Sequence, residues 1–245
     1  MDLSDRVDPG PGQNGVVEEI RRSYHEQLDD LRRDVVQLGR LATDAIVAGT
    51  DALLEADLSA ADAVISGDDA LDELTHSIEE RAYGILARQQ PMASDLRTIV
   101  TVLRTIHEIE RTGDLMVNVA RTTRRLYPTG LHPLVGRLVE RMGRQAATQL
   151  RIAVEAFSAE DAARAMALPD MDDVMDELQR ELFRTIFAMG DSNEDGLQRA
   201  VQTALVGRYY ERIADHAVNV GLRVTYMVTG HFPSADQGLG EIALS

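Results

Sequence analysis

Several pairs of carboxylates stand four residues apart in this sequence, a spacing that places side chains on one face of an α-helix. Two of these pairs are Glu110 with Asp114 and Glu211 with Asp215. Apolar residues around the first pair recur at three- and four-residue steps, and both acids fall within that apolar stripe. Carboxylates on a shared apolar face repel each other and lose hydration, so they require protons, arginines or a metal ion.

Four aspartates accompany these pairs, and two of them precede each pair in the sequence. They flank the apolar stripe of the preceding predicted helix, so the acids converge if the two helices pack together. Oxygen donors of this kind suit divalent cations or iron. The sequence therefore predicts a carboxylate metal site in each half, with the identity of the ion left open and no organic cofactor. The predicted ligands are Glu110, Asp114, Asp68 and Asp72 in the first half and Glu211, Asp215, Asp172 and Asp176 in the second.

A second interpretation of the same acids is an ion-pair network. Arg111 and Arg212 directly follow the two glutamates, and these or other arginines would neutralise the acids. Buried charges are more often paired than metallated. His107 and His216 lie beside the acidic pairs, where each is a metal ligand, an interface residue or simply a packed side chain. The residue types alone leave both interpretations open.

The acidic residues belong to an internal repeat. Residues 110–119 match residues 211–220 at a constant separation of 101 (211 against 110), and residues 68–74 match 172–178 at a separation of 104 (172 against 68). Because the two separations differ only slightly, a connecting loop changed length while the helical segments did not. A duplication of this kind predicts two copies of one structural unit.

The predicted fold class is all-α, with two tandem three-helix bundles related by the duplication. Apolar spacing predicts helices in the first half from 16 to about 55, from a Ser59 cap to about 90, and from a Ser94 cap to about 126. In the second half, Pro169 is expected to kink or split the fifth helix of the chain.

The boundaries of the predicted bundles follow proline and glycine. Two prolines and a glycine between 127 and 133 separate a first bundle, 16–127, from a second, 128–229. Residues 1–15 carry two prolines and three glycines and are predicted to be a disordered tail, and 230–245 a second tail.

Composition excludes several classes of partner and location. The net charge of −16 argues against nucleic acid, which requires a cationic face. No apolar run is long enough to span a membrane, and no signal peptide is evident, so we expect a cytoplasmic protein without direct membrane insertion. The absence of cysteine excludes disulfides and thiolate metal sites.

Several of these segments in combination resemble PhoU, the family of phosphate-specific transport accessory proteins. The resemblance covers about residues 21–229. Its motifs are Tyr24-His25-Glu26-Gln27-Leu28, Asp72-Glu73-Leu74, Gln90-Pro91-Met92-Ala93-Ser94-Asp95-Leu96-Arg97, Glu110-Arg111-x-Gly113-Asp114 and Glu211-Arg212-Ile213-Ala214-Asp215-His216. The second half departs from the family pattern at 190–196, which replaces the proline-containing turn of the first half.

The resemblance implies a cytosolic negative regulator of phosphate uptake and phosphate-starvation signalling. It further implies an adaptor that contacts a phosphate-transporter ATPase and a sensor histidine kinase, a homodimer, and metal clusters on the E-x-x-x-D helices of some members. We therefore expect no enzymatic activity. The alternative from a different class is an iron-storage or di-iron oxidase-like bundle, but Glu73-x-x-His76 is the only ferritin-like ligand pair, and its repeat equivalent is Glu177-x-x-Arg180.

Overall fold

The computed structural model describes residues 11–89, 91–190 and 193–232, which form helices and loops and contain no β-strand. The all-α prediction is confirmed. Seven helices follow in chain order, the fifth of them a single turn. They are α1 (Pro11–Glu55), α2 (Leu58–Gln89), α3 (Ser94–Leu126), α4 (Pro133–Ala159), α5 (Ala162–Ala165), α6 (Leu168–Met189) and α7 (Glu194–Thr229).

The start of α1 differs from the prediction. The helix begins at Pro11, so the predicted tail of 1–15 is wrong for its last five residues. Proline is tolerated in the first turn because its missing N–H has no helical partner there. The rest of that tail lies outside the described residues, as do residues 233–245 of the second one.

Two predicted helix caps are also wrong. The carboxylate of Asp57, not the hydroxyl of Ser59, accepts hydrogen bonds from the first turn of α2, namely from the backbone N–H groups of Ser59 (2.8 Å) and Ala60 (3.0 Å). Ser94 is the first residue of α3, and Ala93 before it has a positive φ and makes no side-chain cap. Each predicted cap lies one or two residues from the observed start of its helix. Apolar spacing does not locate a helix end more precisely than this.

Pro169 splits the predicted fifth helix, as expected. The split produces α5 and α6, and the proline lies in the first turn of α6 rather than at a kink. The second half consequently has four helices where the first has three.

The two halves pack side by side around one continuous core. Helices α1 and α3 of the first half lie against α4 and α7 of the second. At the centre the hydroxyls of Thr50 and Tyr210 are 2.7 Å apart, both buried. In the part of the chain that the structure describes, no helix is long and apolar enough to cross a membrane.

Candidate functional site: two acidic clusters

The first acidic cluster comprises Asp68 and Asp72 of α2 with Glu110 and Asp114 of α3. A glycine brings the two helices together here: a Cβ on Gly113 would lie 2.7 Å from Oδ1 of Asp68 and 3.1 Å from Leu71. The missing side chain therefore lets the Asp68 carboxylate lie against the backbone of α3, between the two acids of that helix.

Two carboxylates of the first cluster, Asp68 and Glu110, have raised pKa values. Burial raises the pKa of Asp68 to about 6, and the charges of Asp72, Asp114 and Glu110 add to this effect. Burial also raises the pKa of Glu110, with further contributions from Asp114 and Asp72. The convergence expected from the sequence is thus present, because acids of α3 act on Asp68 and an acid of α2 acts on Glu110 across the helix contact.

The second acidic cluster comprises Asp172 and Asp176 of α6 with Glu211 and Asp215 of α7. Burial raises the pKa of Asp172 to about 6, followed by the charge of Asp215. Burial likewise raises the pKa of Glu211 to about 7 and raises that of Asp215. Oδ1 of Asp172 and Oε2 of Glu211 are buried without a hydrogen-bond partner among the described residues. These two oxygens are available to a ligand.

Arginines neutralise part of the second cluster. Arg208 forms an ion pair with Glu211, and Arg180 pairs with Asp176 at 3.3 Å. Among the described residues, neither Arg111 nor Arg212 forms an ion pair within 4 Å of a cluster acid. Arg208 lies three residues before Glu211 on the same helical face. The charge of Arg212 acts on Asp215, whose raised pKa it opposes.

The donor chemistry of the clusters suits hard cations, since every cluster ligand is a carboxylate oxygen. As the side chains stand, however, the described residues contain no group of three or more His, Asp or Glu side chains that could hold a metal ion. Coordination therefore requires rotation of several carboxylates toward a common point.

A buried polar network between the halves was not found from the sequence. His216 Nδ1 lies 2.7 Å from Glu108 Oε2, and Asn219 donates to the same oxygen at 3.4 Å. Burial raises the pKa of Glu108, but His216, the hydrogen bond from Asn219 and the charge of Arg111 together hold the pKa below its ordinary value. His216 is thereby assigned to the contact between α3 and α7. His107, in contrast, lies 3.5 Å from Glu79 on the surface of the first half.

The duplication of these clusters coincides with a duplicated family domain. The family model described as the PhoU domain matches residues 35–123 and again residues 139–224, so each match contains all four acids of one cluster. The chain belongs to the PhoU family.

Proteins that are similar to this one over most of the chain support this membership. The PhoU homolog 1 of Mycobacterium leprae is 38% identical over 218 residues, which are 89% of this chain and 97% of the relative. The PhoU homolog 2 of Mycobacterium tuberculosis is 39% identical over 215 residues, covering 87% of this chain and 100% of the relative. Both are named phosphate-specific transport system accessory proteins.

Solved PhoU structures share the fold. The crystal structure of PhoU from Pseudomonas aeruginosa has a TM-score of 0.80 and 30% identity, and covers 85% of this chain and 100% of its own. The PhoU structure from Streptococcus pneumoniae has a TM-score of 0.79 at 24% identity, covering 86% and 99%, and shows likeness of fold alone. These PhoU proteins lend no support to the alternative of an iron store or di-iron oxidase.

Proposed function

We propose that this PhoU protein represses phosphate uptake and phosphate-starvation signalling when phosphate is abundant. The observation that carries the proposal is 37–39% identity, over most of the chain, to proteins named as accessory to the phosphate-specific transport system. The regulator works in the cytoplasm as an adaptor, without catalysing a reaction. Its partners are the ATPase of the phosphate transporter and a sensor histidine kinase, and it assembles as a homodimer.

The shape of the molecule suits an adaptor. Two similar halves share one core, so each presents a comparable helical surface to a partner. The exposed apolar side chains include Tyr83 of α2 and its repeat equivalent Phe187 of α6, at 54% and 80% exposure. Exposed aromatic residues of this kind are typical of protein–protein contacts.

A pull-down tests the proposed partners. Tagged protein is expressed in phosphate-replete cells and the captured material is probed for the transporter ATPase and the sensor kinase. We expect both to be captured by the parent, and capture to fall when Tyr83 and Phe187 are changed to Ser. An exposed pair far from both, Asp51→Asn with Asp173→Asn, serves as the matched control. Capture of neither partner by folded parent protein would contradict the adaptor proposal.

We further propose that the two acidic clusters bind divalent cations. The observation that favours this function is the convergence of four carboxylates in each half, together with the unpaired buried oxygens of Asp172 and Glu211. A bound cation supplies the positive charge that the first cluster lacks within its own side chains. The measurement is the stoichiometry of Mn²⁺ or Fe²⁺ retained by purified protein, with Asp114→Asn and Asp215→Asn as the variants that should release it.

A further inference from the structure

An open groove of about 640 Å³ lies in the first half, between the second part of α2 and the middle of α3. Five carboxylates and two imidazoles are among its lining residues, and its lining, all within the described part of the chain, includes no arginine. The carboxylates are Asp72, Glu73, Glu79, Glu80 and Glu110. The groove therefore presents hydrogen-bond acceptors and negative charge with no cation of its own.

The internal repeat shows what the second half places at the equivalent positions. Arg180 stands where the first half has His76, and Arg184 stands where it has Glu80, each 104 residues later. Arg208 stands where the first half has His107, at a separation of 101 residues. Three cations have thus taken the places of two imidazoles and one carboxylate.

These arginines neutralise the acids of the second half. Arg180 donates to Glu177 at 2.7 Å and Arg184 donates to the same carboxylate at 3.2 Å. Arg180 also pairs with Asp176, and Arg208 pairs with Glu211. The acids Asp176, Glu177 and Glu211 are the repeat equivalents of Asp72, Glu73 and Glu110 in the groove.

The equivalent acids of the groove have no such partners. Within the described residues, none of Asp72, Glu73 and Glu110 forms an ion pair within 4 Å. Glu79 lies 3.5 Å from Nε2 of His107. The second half therefore shows how guanidinium groups pair with the acids at equivalent positions.

Thr75 supplies an independent indication of a missing ligand. Its side chain lines the groove, the residue is only 4% exposed, and its hydroxyl has no hydrogen-bond partner among the described residues. A buried hydroxyl normally finds a partner. An N–H donor entering the groove provides one.

We propose that this groove binds an arginine-rich segment of a partner protein, whose guanidinium groups take the places that Arg180, Arg184 and Arg208 take in the second half. Guanidinium matches carboxylate in a bidentate geometry, so arginine fits better than a point charge. A metal ion held by Asp72 and Glu110 of the first acidic cluster would leave Glu73, Glu79 and Glu80 of the groove without a cationic partner. The inference extends the proposed adaptor function by giving the chemistry of one partner surface.

Binding of a fluorescent tetra-arginine peptide to the purified full-length protein, measured by anisotropy at physiological salt, tests the proposal. His76→Arg with Glu80→Arg copies the second half into the groove. Asp173→Arg with Ala188→Arg makes the same change in net charge at exposed positions of α6. We expect the Kd of the groove variant to rise roughly ten-fold and that of the control to rise less than about two-fold.

Equal weakening in both variants would show general attraction to an acidic surface and overturn the proposal. If the parent binds no peptide, the proposal also fails, and loss of Zn²⁺ binding or of self-association in the groove variant would identify a metal ion or a second copy as the occupant. Glu79→Gln with Glu80→Gln, which keeps side-chain shape, provides a second variant should the first misfold. Because the assay uses purified components, its failure would leave the proposed regulation of phosphate uptake standing.

Discussion

Gly39 of α1 and Gly143 of α4 occupy equivalent positions of the internal repeat. Each lies where its own helix crosses the other one. A Cβ on Gly39 would be 3.2 Å from the Cβ of Val154, and a Cβ on Gly143 would be 3.1 Å from the Cβ of Thr50. Thr50 and Val154 are themselves separated by the same 104 residues as the glycines. The contact is therefore reciprocal, and the two halves face each other about an approximate two-fold axis.

This contact predicts a large effect of one added methyl group. Gly143→Ala should cost about 1–3 kcal/mol, because β-branched Thr50 has few ways to move aside in a packed core. Gly67→Ala in α2 is the control, since nothing lies within 4 Å of its added Cβ. Removing a glycine from a helix interior should stabilise that variant by up to about 1 kcal/mol. Urea unfolding of both variants measures the change in the free energy of unfolding. An equal change in the two variants would contradict the close crossing of α1 and α4.

The acidic clusters predict that stability rises as the pH falls from 8 to about 5.5. Asp68 and Asp172 have folded-state pKa values raised to about 6 and Glu211 to about 7, above the values near 4 of unfolded chains. The folded state therefore takes up protons in this window while the unfolded state does not, and folding gains free energy. The measurement is Tm against pH in the presence of a chelator.

The carboxylates responsible are identified by substitution. Asp68→Asn with Asp172→Asn and Glu211→Gln should flatten the rise in Tm, whereas Asp44→Asn, at an exposed site of α1, should leave it unchanged. A rise that persists in the triple variant would place the titrating groups elsewhere.

Cation binding predicts a stabilisation that a chelator removes. A ligand that binds only the folded state stabilises it by mass action, so Mn²⁺ should raise the Tm of the parent. Asp114→Asn with Asp215→Asn should abolish this response. Neither aspartate forms an ion pair within 4 Å among the described residues, so the variant should be at least as stable as the metal-free parent. Loss of stability in the variant, without any metal response in the parent, would favour a structural role for these acids.

Arg97 is predicted to stabilise the contact between the two halves. Its Nε donates to the backbone carbonyl of Met227 in the last turn of α7, at 3.2 Å. Arg97→Ala should therefore cost about 1 kcal/mol, since the arginine is only half-buried and the bond is partly replaced by water. Arg88→Ala, at an exposed site of α2, is the matched control and should change little. Thermal melting compares the two, and an unchanged Tm for Arg97→Ala would show that the hydrogen bond contributes nothing.

Local periodicity was sufficient to predict the helices and the two acidic clusters. Glu110 and Asp114 share a helical face whatever surrounds them, and the repeat predicts the same arrangement for Glu211 and Asp215. The ion pair of Arg208 with Glu211 could also have been predicted, because the three-residue spacing alone places both side chains on one helical face.

The contacts between the halves could not be predicted in this way. The bond between Glu108 and His216 depends on how α3 lies against α7, and the repeat gives no guide to it. The equivalent positions hold Leu115 and Tyr209, which cannot form such an ion pair. Apolar spacing does not distinguish side-by-side from end-to-end bundles, and only the packing of α1 and α3 on α4 and α7 does so.

The most direct test of the central claim is a phosphate-starvation transcriptional reporter in phosphate-replete cells that lack their own PhoU protein. Such cells should express the reporter at a high level, and this chain should return it to the low level of wild-type cells without changing it under starvation. Reporter expression that stays high, although the protein is folded and present at normal abundance, would contradict its proposed role as a negative regulator.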